Sequence, residues 1–269
     1  MSGFIERLRD GEAIDTPVAL VAAHPDDETV GLGSRLGALR RLRLIHITDG
    51  APRDLGDARR AGFAGASAYA AAREAEVECA LAALGADAAE RIRYALADQE
   101  AVFALSDLVE RLARDLAGVV VVVTHAFEYG HPDHDAAALA VALACARIAD
   151  PPRRYEFAGY HLADAHEVYG RFRAHPAAPE TLLPFDVAAC RRKIAALACF
   201  RTQAEVLARF PVAPEIIRPA PAYDFAEPIP AGGALYDRWG WSVDSRRWSE
   251  AARRAIEAES AGAPQLVPC

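Results

Sequence analysis

The sequence has no apolar run that approaches the ~20 residues a helix needs to cross a bilayer. Residues 1–15 carry charges throughout and contain no apolar segment typical of a signal peptide. Cys269 is the last residue, whereas the cysteine of a prenylation box stands fourth from the end. We therefore expect a cytoplasmic protein that does not associate with a membrane.

Cysteine and positive charge are both scarce. The five cysteines are odd in number and none belongs to a C-x-x-C pair. This predicts neither a disulfide framework nor a thiolate metal site, as in a reducing compartment. The 30 lysines and arginines are outnumbered by 38 aspartates and glutamates, giving a formal net charge of -8. We therefore expect no nucleic-acid partner and instead a small-molecule substrate; assembly into a homo-oligomer stays open.

Nucleotide-binding and serine-hydrolase motifs are also absent. The sequence contains no Walker A lysine motif and no G-x-S-x-G nucleophile motif. Gly31-Leu32-Gly33 is followed by Gly37, which departs from the G-x-G-x-x-G spacing, and these glycines fall inside a predicted helix. The sequence therefore predicts no dinucleotide site.

Strand-like apolar runs alternate with helical patterns as far as residue 149, which predicts an α/β fold with a parallel sheet and right-handed crossovers. The predicted strands are 18–22, 42–48, 91–96, 118–125 and 155–161. The predicted helices are 29–41, 69–84, 99–116, 136–149, 186–207 and 245–259. Residues 51–65 predict a loop that could act as a lid, and 211–233 contain six prolines and two glycines, too many for regular elements. We expect one domain, 1–269, with a core over about 17–161 and a less regular extension over about 162–269 that completes the pocket.

A histidine and three carboxylates cluster directly after the first predicted strand. The stretch Ala23-His24-Pro25-Asp26-Asp27-Glu28 joins the apolar run 18–22 to the helical pattern 29–41. In open parallel α/β sheets, ligands bind at the carboxyl ends of the strands, which is where this turn lies. The position and the side chains together suggest a cation site.

A second cluster, Gly130-His131-Pro132-Asp133-His134-Asp135, follows the most strand-like run of the chain. Two strand-end loops of one sheet can meet in space. His24 and Asp27 from the first cluster and His134 from the second would then supply two imidazoles and one carboxylate. This is a ligand set of catalytic zinc, with a fourth position left for water. The same set can hold Fe(II) in an oxygenase, so Fe2+ stays an alternative to Zn2+.

The residues beside these ligands are suited to amide hydrolysis. Zinc would lower the pKa of a bound water toward ~7 and polarise a carbonyl group. Asp26 could accept the proton of that water and pass it to a leaving amine. His131 could stabilise a developing oxyanion, and Asp133 could hold a histidine in the required tautomer.

The motifs His24-Pro25-Asp26-Asp27-Glu28 and His131-Pro132-Asp133-His134 together resemble the two-motif pattern of the LmbE-like or PIG-L family of zinc-dependent de-N-acetylases. The resemblance implies a Rossmann-like α/β fold, with a mostly parallel sheet flanked by helices. It implies removal of the N-acetyl group from an N-acetylglucosamine conjugate or a related amino sugar.

The resemblance also assigns roles to individual residues. It implies zinc on His24, Asp27 and His134, with Asp26 as the base and His131 as the oxyanion stabiliser.

Two further residues resemble family positions that contact the sugar. Arg73 opens an R-x-x-E pattern with Glu76 on a predicted helix, and Asp98 follows the third predicted strand. R-x-x-E is also an ordinary surface pattern of helices, so this part of the pattern is less specific.

Several alternatives remain open from the sequence alone. For Glu28, support of the first helical turn is favoured over contact with the substrate or support of the residues that hold the metal. His125 could line the pocket or be a core histidine, and His46 is expected in the core. The aromatic residues near the C-terminus could wall a sugar site or pack over the sheet edge; they are Tyr236, Trp239, Trp241 and Trp248.

The activity also has alternatives. The same site could serve an amidase that acts on a thiol-sugar conjugate or a deacetylase of an antibiotic intermediate. A metal-containing carbohydrate-binding protein without turnover is the alternative outside the enzymes, although a protein that only binds sugar has no need of Asp26 as a base.

Overall fold

A seven-stranded, mostly parallel sheet forms the centre of the computed structural model, which describes residues 3–230 and 232–262. The strands are β1 (Val18–Ala22), β2 (Leu42–Pro52), β3 (Glu90–Asp98), β4 (Val121–His125), β5 (Arg153–Phe157), β6 (Tyr160–Ala163), β7 (His166–Tyr169), β8 (Thr181–Leu183) and β9 (Glu215–Pro219). The α-helices are α1 (Phe4–Arg9), α2 (Asp27–Leu32), α3 (Gly56–Arg60), α4 (Ala66–Leu84), α5 (Leu105–Asp115), α6 (Pro132–Ala146), α7 (Val187–Leu197), α8 (Ala204–Leu207) and α9 (Ser245–Gly262). Short 3-10 segments cover Leu36–Ala38, Ala101–Ala104, Arg201–Gln203 and Leu235–Arg238.

The strand order of the sheet is β3-β2-β1-β4-β5-β9-β8, and its first five strands are parallel. β9 and β8 join antiparallel at one edge. The Rossmann-like, mostly parallel sheet with flanking helices is therefore confirmed. The chain leaves β1 toward β2 on one side and later returns to β4 on the other. A crevice opens at such a reversal, beyond the carboxyl ends of β1 and β4.

Helices cover both faces of the sheet because the central strands are apolar on both sides. All five residues of β1 are buried. One face packs against α5, α6 and α9, and the other against α4 and α2. The C-terminal extension contributes to both layers through Trp248 and Ile217, each with a fully buried side chain.

Two predicted elements of the N-terminal half are wrong in extent. The helix expected over 29–41 ends at Leu32, because three glycines weaken it and Gly37 packs against the end of α4. A Cβ at Gly37 would lie 2.6 Å from the carbonyl oxygen of Leu84. Residues 51–65 are not one long loop: β2 extends to Pro52 and α3 follows it.

The C-terminal half also differs from the sequence prediction. The run 155–161 is split between β5 and β6, and β6 pairs with β7 in a separate two-stranded sheet. The helix expected over 186–207 ends at Leu197, although Asp186 caps it as predicted by accepting the N–H of Ala189 at 2.6 Å. β9 lies inside the proline-rich segment because its first four residues, 215–218, are free of proline. Glu215 of β9 and Lys193 of α7 form a buried ion pair of 2.7 Å.

The cysteines are not all free, contrary to the sequence prediction. Cys79 of α4 and Cys199, just after α7, form a disulfide. These cysteines lie 120 residues apart, so only the tertiary fold brings them together. Cys269 lies outside the described residues. Within 3–230 and 232–262, no helix is both long and apolar enough to span a bilayer.

Candidate active site

Side chains from the two strand-end turns meet in the crevice between β1 and β4. His24 Nδ1 lies 3.2 Å from Asp27 Oδ2 and 3.2 Å from His134 Nε2. His134 Nε2 lies 3.4 Å from Asp27 Oδ1. Tetrahedral zinc with bonds of ~2.0–2.1 Å separates its ligand atoms by roughly 3.3 Å. The donor atoms and their spacing therefore fit a zinc ion.

Other groups of side chains in the described residues approach one another closely enough to hold an ion. They are His24, His131 and His134; His24, Asp98, His131 and Asp133; and Asp27, His125 and His134. Each of these groups includes His125 or His131, and in both of these rings one nitrogen already accepts a backbone N–H. His125 Nε2 accepts the N–H of Ala23 at 2.9 Å, so its lone pair is occupied. His131 Nδ1 accepts the N–H of Asp133 at 3.1 Å, which leaves the proton of a neutral ring on Nε2.

Asp133 orients His24, the histidine that follows β1. Asp133 Oδ2 lies 3.2 Å from His24 Nε2, and its carboxylate accepts the N–H groups of Gln99 at 2.6 Å and Ala101 at 3.0 Å. A proton on Nε2 leaves the Nδ1 lone pair directed at Asp27 and His134, as in carboxylate–histidine–metal arrangements. Burial lowers the pKa of His24, but the neighbouring carboxylates outweigh it and raise that pKa well above its usual value. A cation that binds His24 Nδ1 would therefore have to displace the proton that the charged ring carries on that nitrogen.

Asp26 has an unusual backbone and a buried arginine partner. Its φ of 154° is one that residues other than glycine rarely adopt, and such strain is concentrated at functional sites. Its Oδ2 accepts a 2.9 Å hydrogen bond from Arg73, whose guanidinium also donates to the carbonyl oxygens of Pro25 and Gly50. Burial raises the pKa of Asp26 to about 8 in spite of the opposing charge of Arg73. Since Arg73 occupies Oδ2, Oδ1 is the oxygen that can take a proton.

Glu28 and His46 support the strained turn at Asp26 through buried polar contacts. The carboxylate of Glu28 is fully buried, and its Oε2 lies 3.1 Å from the N–H of Asp26 and 3.0 Å from His46 Nε2. Its Oε1 accepts the hydroxyl of Thr29 at 2.6 Å. Glu28 therefore does more than support a helical turn, and His46 is a buried polar partner. The signal in the sequence was a histidine inside a predicted strand.

We expect Glu28→Ala to lower kcat by about 10–100-fold, as loss of a supporting partner does at metal sites. The backbone of Asp26 and the ring of His46 would lose their shared acceptor, whereas the proposed ligands would stay in place. Glu28→Gln keeps one acceptor oxygen and should recover most of the rate. Steady-state kinetics and metal analysis of both variants check this. If Glu28→Ala also loses metal, or if Glu28→Gln does not recover kcat, then Glu28 and His46 support only the folding of the protein.

His131 faces the crevice as a neutral donor. Burial lowers the pKa of His131 well below the usual value, and the neighbouring imidazoles of His24 and His134 add to this effect. Its Nε2 lies 3.8 Å from Asp98 Oδ1, which is also 3.2 Å from His24 Nε2. An N–H at this position is suited to an oxyanion.

Arg73 and Asp98, which the resemblance implied as sugar contacts, both line the cavity. The guanidinium of Arg73 is engaged by protein oxygens, so orienting Asp26 is a role that its geometry supports. Glu76, the other half of the R-x-x-E pattern, is directed elsewhere and accepts hydrogen bonds from Thr202 N at 2.9 Å and Oγ1 at 2.6 Å.

Comparison with known proteins identifies the family. Residues 19–145 match the family model described as PIG-L: GlcNAc-PI de-N-acetylase. Residues 19–145 therefore form a PIG-L (LmbE-like) domain. The match supports a hydrolytic N-deacetylase and contains both motifs of the crevice. No curated protein sequence gives a match.

Two solved structures share the fold of this chain. One is the A40926 pseudoaglycone deacetylase Dbv21, at a TM-score of 0.59 and 17% identity, over 77% of this chain and 97% of that one. Another is the zinc-inhibited form of the teicoplanin deacetylase Orf2, at a TM-score of 0.55 and 14% identity, over 78% of this chain and 99% of that one. At these identities the likeness concerns the fold.

The crevice of this PIG-L chain opens into a cavity of about 390 Å³. Its floor carries the histidines and aspartates described above, and its wall comes from the C-terminal extension. Trp239 and Trp241 line it, whereas Tyr236 and Trp248 are buried in the core. α3, in the segment 51–65, contributes Asp57 and Arg60 to the rim.

Proposed function

We propose that this protein is a zinc-dependent hydrolase that removes the N-acetyl group from an amino sugar or an N-acetylglucosamine conjugate. The observation that carries the proposal is that His24 Nδ1, His134 Nε2 and the carboxylate of Asp27 approach one another within 3.2–3.4 Å, with Asp27 Oδ2 facing His24 and Oδ1 facing His134. Asp26, with a pKa raised to about 8, lies beside them. The family match over 19–145 supports the same chemistry.

The residues of the chain can be assigned to the steps of amide hydrolysis. A zinc ion on His24, Asp27 and His134 would supply an acidic water and polarise the amide carbonyl. Asp26 takes the proton of the attacking water on Oδ1 and returns it to the leaving nitrogen. The Nε2–H of His131 stabilises the negative charge on the carbonyl oxygen. The C–N bond breaks, and acetate and a free amine leave.

The proposal includes organisation and location. Residues 1–269 would act as one domain, with the core over about 17–161 and the extension over about 162–269 completing the pocket. The composition supports a cytoplasmic location, whereas the Cys79–Cys199 disulfide is a bond more typical of an oxidising compartment.

A substrate panel tests the function. Purified protein loaded with zinc is incubated with N-acetylglucosamine conjugates and with thiol-sugar amides, and acetate and free amine are measured. Acetate from the amino sugars supports the proposal. Release of a larger acid from thiol sugars alone would favour the thiol-conjugate amidase. Calorimetric sugar binding without product would favour a carbohydrate-binding protein, and elemental analysis of the cell-derived protein distinguishes zinc from iron.

A further inference from the structure

A wall of aromatic rings rises from the candidate site and is larger than an acetyl group requires. Five partly exposed rings line the cavity, from Tyr160, Tyr169, Phe210, Trp239 and Trp241. They form a continuous series: Trp239 lies 4.5 Å from Trp241 and 6.0 Å from Tyr160, measured between ring centroids. Half-buried apolar rings grouped around one cavity indicate a binding surface.

The fold builds this wall from separate segments. β6 and β7 form a hairpin of their own, and its register pairs Tyr160 with Tyr169. Phe210 packs against both tyrosines, at 5.8 and 5.0 Å between ring centroids. The wall is continuous with the catalytic groups, because Trp241 lies 4.8 Å from His131 and Tyr160 lies 5.3 Å from His134.

The arrangement of the rings favours an inserted ring over a sugar. The interplanar angles along the wall range from 31° to 82°, so the rings present both edges and faces, as aromatic partners prefer. Four of the five rings carry one hydroxyl or indole N–H, and that of Tyr169 is already engaged with Glu167 at 2.6 Å and with Arg209 at 3.1 Å. The amide of Gln203 donates to Tyr69 at 2.6 Å. Among the five rings, the hydroxyl of Tyr160 and two indole N–H groups are left for the several hydroxyl groups of a second sugar, whereas an inserted aromatic ring needs none of them.

The charges of the cavity disfavour a phosphate. Each of its three arginines already has a carboxylate partner. Arg73 pairs with Asp26 at 2.9 Å, Arg209 pairs with Glu167 at 3.2 Å, and Arg60 pairs with Asp57. A phosphate would have to compete with these carboxylates for each cation.

From the ring arrangement and the paired arginines we infer that the wall binds an aromatic, uncharged aglycone, so that the substrate is an aryl-type glycoside of an N-acetylated amino sugar. This inference rests on the proposed function and narrows its substrate class. The volume of about 390 Å³ is near the lower end of the ~300–1,000 Å³ typical of small-molecule pockets. It suits an amino sugar with one ring system attached.

Four compounds test the inference. Three are the p-nitrophenyl, methyl and 1-phospho derivatives of N-acetylglucosamine, and the fourth is the disaccharide N,N'-diacetylchitobiose. The p-nitrophenyl and methyl glycosides are each used as both anomers. Acetate release gives kcat/KM for each. We expect the better p-nitrophenyl anomer to exceed the other three compounds by at least about tenfold, the effect of one or two aromatic contacts. Equal values for the methyl and aryl glycosides, or a preference for the phosphate or the disaccharide, would overturn the inference while leaving the deacetylase function intact.

Trp239→Ala links the preference to the wall. We expect it to lower the ratio of kcat/KM for the aryl over the methyl glycoside by about tenfold. Phe103→Ala, which removes a ring that is 59% exposed and outside this cavity, should leave the ratio unchanged. An unchanged ratio in Trp239→Ala contradicts the inference.

A binding measurement separates failure of the inference from failure of the function. Calorimetry with Asp26→Asn protein compares the dissociation constants of the p-nitrophenyl and methyl glycosides in the absence of turnover. If no compound releases acetate from wild type but the aryl glycoside binds more tightly and Trp239→Ala abolishes the difference, the aglycone site stands and the deacetylase proposal fails. If both glycosides bind equally, the inference fails.

Discussion

Asp26→Asn should lower kcat by about 10²–10⁴-fold, the usual contribution of a positioned acid–base group. Asparagine keeps an oxygen for the hydrogen bond from Arg73, which lies 2.9 Å from Asp26 Oδ2, and so it preserves the local packing. It cannot take a proton from water or return one to the leaving amine. Metal content should stay at the wild-type level because Asp27, not Asp26, lies against His24 Nδ1 and His134 Nε2.

The matched control is Asp107→Asn, which removes an exposed carboxylate of α5 that pairs with Arg111 at 3.5 Å. It should turn over like wild type, so loss of negative charge alone is not the cause. Steady-state kinetics and elemental analysis of both variants check the prediction. An Asp26→Asn enzyme with a rate near wild type would show that another group moves the proton.

The sequence predicts the site to the extent that local pattern determines it. Each motif follows a strongly apolar strand, and parallel pairing of β1 with β4 brings their carboxyl ends together. This makes the approach of His24, Asp27 and His134 a consequence of topology. The parallel pairing of the first five strands also follows from the alternation of strands and helices, because parallel neighbours need a crossover connection.

Groups that act through tertiary contacts are not visible in the sequence. His46 and Glu28 lie 18 residues apart and meet only because β2 lies beside β1. The wall aromatics come from the β6–β7 hairpin and two later segments, and no local periodicity links them. The cysteine pair escapes prediction for the same reason. β9 escapes prediction because prolines dominate its window, although its four successive residues without proline suffice for pairing with β5 and β8.

His134→Ala should abolish metal binding and with it all measurable turnover. It removes one of three donors, and the remaining pair, His24 Nδ1 and Asp27 at 3.2 Å, would hold an ion only weakly. His125→Ala is the matched control, since its ring stacks on His134 at 4.0 Å but its Nε2 is bound to the Ala23 N–H. Elemental analysis and zinc titration followed by thermal unfolding give the metal readout without reference to activity. Full metal content in His134→Ala, or loss of metal only in His125→Ala, would move the site to Asp27 and His125. The ligand set His24, Asp27 and His134 would then be wrong.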